Sequence, residues 1–185
     1  MIDTGEWKED KKAKSLTFFS TKKPVSVSKK LVEELKKLSQ VNGKKNARFC
    51  LHESPEAPLH DMIILEYRDK KCRKPHKHLE KNETLHMIEG KMSVLFFDNE
   101  GKLIKRETLN PKDNFAYHTP VGMYHVWLPL TEYAVYREIK QGPFKQEDNI
   151  PPKFNHVEVL KKNVDFINLD CYNDRCNHPC SLRRF

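Results

Sequence analysis

Pro75-His76-Lys77-His78-Leu79-Glu80-Lys81-Asn82-Glu83 decides the fold, together with Pro120-Val121-Gly122-Met123-Tyr124-His125 about 40 residues later. In an extended strand residues i and i+2 point to the same face, so His76 and His78 can reach one ion without distorting the backbone. Glu83 opens the next apolar stretch, Thr84-Leu85-His86-Met87-Ile88-Glu89-Gly90, and can return beside them. Three ligands that are neighbours in sequence leave the far side of an ion open, so a fourth must come from a distant strand. His125 is the candidate.

These two segments resemble the paired motifs of the cupin superfamily. The first motif, HxH then E then G, is matched by His76, His78, Glu83 and Gly90 with the customary gaps; the second, PxGxxH, is matched by Pro120, Gly122 and His125. The glycine that usually opens the second motif is missing from Asn110-Pro111-Lys112-Asp113-Asn114, and its closing asparagine is replaced by Pro129. Those departures fall on turns, not on ligands. A closer resemblance runs from about Ala47 to Phe144, through Ala47-Arg48-Phe49-Cys50-Leu51-His52, the PHKH segment, Phe97-Asp98-Asn99-Glu100-Gly101 and Gly142-Pro143-Phe144. This part is similar to the WbuC family of cupin-fold metalloproteins, whose members often belong to pathways that build surface polysaccharides. The resemblance implies a cupin barrel, one divalent metal on His76, His78, Glu83 and His125, and that pathway context. It implies no defined reaction.

The chain has 185 residues, a formal charge of +8, 32% charged residues and 37% hydrophobic ones. One domain with a genuine core is expected at this length, with polar segments attached to it. The lysines are scattered and no helix-turn-helix or RNP pattern is present, so no nucleic-acid partner is expected. The first residues lack the apolar centre of a secretory signal, and no apolar run reaches the roughly 18 residues of a membrane span. Five cysteines, an odd number, do not suggest a disulfide framework. Cytoplasmic location and no membrane partner are the expectations.

Three regions follow along the chain: a polar arm over 1–24, the barrel with an N-terminal helix over 25–149, and an extension over 150–185. Ser28 can cap a helix whose Leu31, Val32, Leu35 and Leu38 form one stripe, stopped at Asn42-Gly43 and packed outside the barrel. From Ala47 the pattern turns to short strands: Arg48–Leu51, Met62–Tyr67, Thr84–Ile88, Met92–Phe97, Leu103–Leu109, Tyr124–Leu128 and Tyr133–Ile139, with a hairpin turn at Asp98-Asn99-Glu100-Gly101. The fold class is therefore all-β, a small antiparallel barrel or jelly roll. His156 to Asn168 carries interspersed apolar residues and reads as a strand or helix packed on the barrel.

The C-terminus places Cys171, Cys176, His178 and Cys180 within a short span. Cys3His is an accepted zinc set, yet the C-x4-C-x3-C spacing is not a standard one and the gap from Cys176 to His178 is tight. A second zinc and a reduced or partly disulfide-linked tail both stay open. For the main centre, three imidazoles and a carboxylate suit Fe, Mn, Co, Ni or Zn, leaving about two positions of an octahedral ion open. Strand parity puts Met123 and Trp127 on the side of His125, puts Leu85 and Met87 on the side of Glu83, and turns His86 away. Arg48 and His52, in the family-like segment, are the candidate catalytic pair for an anionic or hydroxyl-rich ligand. Tyr67, His118, Tyr124, Trp127 and Arg137 are candidates for the pocket.

Two function classes fit. One is an enzyme of sugar or nucleotide-sugar metabolism acting on a small-molecule substrate, as an isomerase or epimerase or as an Fe(II) oxygenase. The other is a metal-dependent binding or regulatory protein without turnover. A homodimer formed through the sheets is expected.

Overall fold

The computed structural model describes residues 6–68 and 73–164. Among these residues ten strands form two sheets, and two α-helices cover their outer faces. The strands are β1 (Trp7–Glu9), β2 (Leu16–Ser20), β3 (Ala47–Cys50), β4 (Leu59–Tyr67), β5 (Glu83–Glu89), β6 (Met92–Phe97), β7 (Leu103–Leu109), β8 (Ala116–Thr119), β9 (Tyr124–Pro129) and β10 (Tyr133–Gln141). The larger sheet runs β1-β2-β3-β4-β10-β5-β8 and the smaller β7-β6-β9. All pairings are antiparallel except β2 with β3.

Strand parity divides the core into three layers. Leu85, Met87, Ala134 and Tyr136 of the larger sheet meet Met92, Val94, Phe96 and Trp127 of the smaller one, and these fill the space between the sheets. On the outer face of the larger sheet, Ala47, Phe49, Ile63, Leu65 and Val135 pack under Leu31, Val32 and Leu35 of helix α1 (Lys29–Val41). On the outer face of the smaller sheet, Leu95, Phe97, Val126 and Leu128 pack with Leu160 of helix α2 (His156–Asn163) and with Val164. Helix α1 starts where Ser28 Oγ accepts the Leu31 N–H at 3.3 Å, which satisfies one of the orphan donors of a first turn.

The expected strands are all present, with ends displaced by a few residues, and α1 lies outside the barrel as its stripe requires. The polar arm is corrected. Residues 7–9 and 16–20 are strands, and β2 joins the larger sheet beside β3. Trp7 is buried and stacks on Phe49 at 4.4 Å, while Phe18 meets Phe49 edge-on. Flanking lysines dilute the apolar signal of strands this short. Strand β8 was also hidden, because Ala-Tyr-His-Thr at a sheet edge has little apolar alternation. Residues 150–164 pack on the barrel, since α2 completes the smaller sheet's outer core. Cys171, Cys176, His178 and Cys180 lie outside the described residues.

Candidate metal centre

Glu83 is the first residue of β5 and faces the space between the sheets, 1% exposed. His125, on β9 of the opposite sheet, is equally buried. His76 and His78 arrive on an extended segment that runs antiparallel to β9. His76 N–H donates to His125 O at 3.1 Å and His125 N–H to His76 O at 2.9 Å; Lys77 exchanges two further bonds with Ile150. The turn before β9 closes on the same segment, with Gly122 N–H donating to His78 O at 2.6 Å. Gly122 has φ +79°, a left-handed conformation that glycine adopts at no steric cost. Donor atoms of His76, His78, Glu83 and His125 all lie within 4.8 Å of one another. The fold is a two-sheet, all-β barrel with the quartet between its sheets.

The ring orientations suit a cation. Nδ1 of His78 lies 2.9 Å from Asp148 O, Nδ1 of His125 lies 2.9 Å from Met123 O, and Nδ1 of His76 lies 3.4 Å from Lys74 O. A carbonyl oxygen can only accept, so each Nδ1 carries hydrogen and each Nε2 is the nitrogen left for the interior. That is the outer-shell pattern of metal-ligating histidines. Nε2 of His78 and of His125 lie 2.8 and 3.2 Å from the two oxygens of Glu83.

Electrostatics match the geometry. Burial, aided by the charge of His125, pushes His76 down to about 3, so it stays neutral and available as a ligand. For His78 burial opposes the charged form, but the hydrogen bond and charge of Glu83 outweigh it and raise its pKa. Burial would raise Glu83, yet hydrogen bonds from His125 and His78 and the charge of Lys140 hold it well below the usual carboxylate range. These four residues could hold a divalent metal, and such an ion would compete with any proton on their donor atoms.

A family described as a domain of unknown function (DUF6016) matches residues 27–109, a span that includes His76, His78 and Glu83 and stops before His125. No curated protein matches the chain in sequence. Among solved structures, capsular polysaccharide assembling protein CapF from Staphylococcus aureus is similar over 58% of this chain and 30% of its own, with 18% identity and TM-score 0.47. Oxalate decarboxylase from Bacillus subtilis is similar over 58% of this chain and 27% of its own, with 19% identity and TM-score 0.43. KdgF from Halomonas sp. is similar over 55% of this chain and 82% of its own, with 19% identity and TM-score 0.41. The chain thus spans under a third of the length of CapF and of the decarboxylase.

The other expected site residues are dispersed. Arg48 Nε donates to Thr17 Oγ1 at 2.9 Å, and its strand stands three spacings, roughly 14 Å, from that of Glu83. His52 is buried, stacked on His60 at 4.4 Å and 7°, with Nδ1 3.1 Å from the backbone of Asp61. Four pocket candidates lie away from the quartet. Tyr67 belongs to the core under α1, with its hydroxyl 3.4 Å from Ser39 Oγ. His118 is exposed at the edge strand, 3.1 Å from Thr84 Oγ1. Tyr124 packs toward α2 and donates to Pro151 O at 3.2 Å. Arg137 has the outward parity of β10 and pairs with Asp61, its Nε donating at 2.7 Å. In each case alternation along the strand sends the side chain to the outer face. Trp127 alone is at the centre, stacked on His125 at 5.4 Å and 18°. His86, as its parity requires, faces outward against Phe115.

Sequence reading missed the half-buried cation of the site. Lys140, cross-strand from Glu83, places Nζ 3.2 Å from Glu83 Oε1 and 2.7 Å from Glu138 Oε1. Burial would lower its pKa, but the two carboxylates raise it. The signal was available as the inward parity of Ala134, Tyr136, Glu138 and Lys140, two polar residues continuing an interior face. Among the described residues, no helix is long and apolar enough to cross a membrane.

Proposed function

We propose that this chain is a WbuC-like cupin metalloprotein of surface-polysaccharide or nucleotide-sugar metabolism, an isomerase or epimerase acting on a small sugar-derived or anionic substrate. The observation that carries the reading is the quartet of buried donors with all three Nδ1 atoms turned to backbone carbonyls. A divalent ion held there supplies Lewis-acid polarisation of a carbonyl or hydroxyl oxygen. The chain's own part is to fix the donors and to exclude bulk water from a site whose members are nearly all buried. Lys140, between Glu83 and Glu138, neutralises the second buried carboxylate and keeps Glu83 in its charged form. Lys140 is the polar group beside the carboxylate ligand that is not itself a ligand candidate, and with Glu138, its other partner, it orients a substrate hydroxyl by hydrogen bonding. We place the protein in the cytoplasm and as a homodimer in this reading.

The test is anaerobic turnover. Protein loaded in turn with Mn, Fe, Co, Ni or Zn is incubated with a panel of hexose phosphates and nucleotide sugars in deuterated water. Solvent deuterium entering a substrate carbon without dioxygen supports the isomerase reading. Dioxygen consumption restricted to the Fe(II) form would replace it with an oxygenase, and binding without exchange would replace it with a regulatory protein.

A further inference from the structure

Beside the quartet the barrel core holds a second polar cluster, none of whose members is a candidate ligand. Glu66 is 3% exposed and Tyr136 1%. Tyr136 sits in a layer made otherwise of Ile64, Leu85, Met87, Val94 and Ala134. Arg73 reaches them from the extended segment, three residues before His76. Its Nε donates to Glu66 Oε1 at 2.7 Å, and its Nη2 donates to Glu66 Oε2 and, at 3.1 Å, to Tyr136 Oη. Tyr136 Oη in turn donates to Glu66 Oε2 at 3.0 Å. The guanidinium lies over the Trp127 ring, 5.1 Å from its centroid. Trp127 stacks on His125 and stands edge-on to His76 at 6.1 Å.

Stability alone does not call for this arrangement. Burying an Arg–carboxylate pair costs desolvation that the pairing only roughly offsets, and apolar replacements of similar size are often as stable or more so. What a fully engaged buried network supplies is a single geometry. Here it joins four pieces: β4 through Glu66, β10 through Tyr136, β9 through Trp127, and the segment that carries His76 and His78. That segment belongs to no sheet strand and is held by bonds at residues 76, 77 and 78. Arg73 is its fixed point on the other side of His76. Only guanidinium has the planar fork to bind a carboxylate bidentately and lie on an indole at once.

We propose that Arg73 is a positioning residue of the metal centre. Clamped by Glu66 and Tyr136, it fixes the plane of Trp127, and Trp127 fixes the rings of His76 and His125. The inference rests on the metal reading above, and the experiment separates the two.

Co(II) is titrated into full-length chain against a competing chelator, and its visible ligand-field spectrum is recorded together with the melting temperature. The chains compared are the native sequence and the variants Arg73→Lys, Arg73→Met, Tyr136→Phe, Trp127→Phe and Trp127→Ala. Arg73→Lys keeps the charge and is expected to lose about 10- to 100-fold in Co(II) affinity, the range for outer-shell partners, with a changed spectrum. Trp127→Phe, which keeps a ring against His125, is expected to recover most of what Trp127→Ala loses. Variants at Arg73 that melt lower but bind Co(II) within twofold of the native chain, with its spectrum, would make the cluster purely structural and overturn the proposal. A native chain that takes up no Co(II) would overturn the metal reading first, and this one with it.

Discussion

Lys140→Met tests the electrostatics of the site. The substitution keeps an unbranched chain of similar length and removes the ammonium that lies 2.7 Å from Glu138 and 3.2 Å from Glu83. Both carboxylates are buried, at 5% and 1% exposure. Removing one partner of a buried pair leaves an uncompensated charge and costs about 3–5 kcal/mol. For a chain of this size each kcal/mol is worth about 2–4 °C in melting temperature, so metal-free Lys140→Met should melt roughly 6–20 °C below the parent. A divalent ion on Glu83 takes over half of what Lys140 did, so loading with metal should recover part of the loss. Glu138→Leu added to Lys140→Met removes the remaining orphan and should recover most of the rest. Differential scanning calorimetry of the three chains, with and without Zn(II), gives all the comparisons. A metal-free Lys140→Met that melts within 2 °C of the parent would mean that the lysine is not the counter-charge of these carboxylates.

Three further outcomes are expected. Glu83→Gln, which keeps the shape and removes the charge, should lower metal affinity by at least the ~10–100-fold that outer-shell changes produce, measured by chelator competition. Stability of the metal-free chain should fall on acidification: burial lowers the pKa of His52, His60 and His76, so the unfolded chain binds protons that the folded one refuses. This stability is full above about pH 7, where an ordinary histidine is neutral, and falls on acidification through each lowered pKa, for His76 down to about 3, at up to ~1.4 kcal/mol per pH unit for each group. His78, raised by Glu83, acts in the opposite sense: its contribution is present at low pH and is lost as pH rises through its raised pKa. Urea midpoints at pH 7 and 5 should differ accordingly, and His60→Phe should flatten the slope. Gly90→Ala should cost more than Gly122→Ala in urea unfolding. Both residues have φ +79°, worth about 1–2 kcal/mol for an alanine, but at Gly90 the new Cβ would also meet Tyr133 O at 2.5 Å.

The ligand quartet was legible because strand parity and motif spacing are local properties of the sequence. His76 and His78 share a face at i and i+2, Glu83 heads a recognisable apolar strand and His125 is the second residue of another. Helix α1 was legible for the same reason, with Ser28, its stripe and Gly43 in order along the chain. Arg48 and His52 illustrate the limit: resemblance put them near the metal strands in sequence, but β4 and β10 stand between β3 and β5 in the sheet. Sheet order is a property of non-local pairing that periodicity cannot supply. Tyr67, Tyr124 and Arg137 fail for a related reason, since a polar or aromatic residue on a strand reads as a pocket residue until its inward neighbours are known. Lys140, Glu138 and the Arg73–Glu66–Tyr136 cluster went unread because a buried charge looks like a surface charge until its partner, far away in sequence, is brought across the barrel.

The central claim is that His76, His78, Glu83 and His125 bind one divalent metal. Metal content per chain, measured by elemental analysis after Zn(II) loading and dialysis, tests it most directly in full-length protein carrying Cys171→Ser, Cys176→Ser and Cys180→Ser, so that the terminal thiols contribute nothing. One equivalent is expected in that protein and none when His76→Ala and His78→Ala are added to a chain that still folds. A full equivalent retained without His76 and His78, or no metal with all four residues in place, would contradict it.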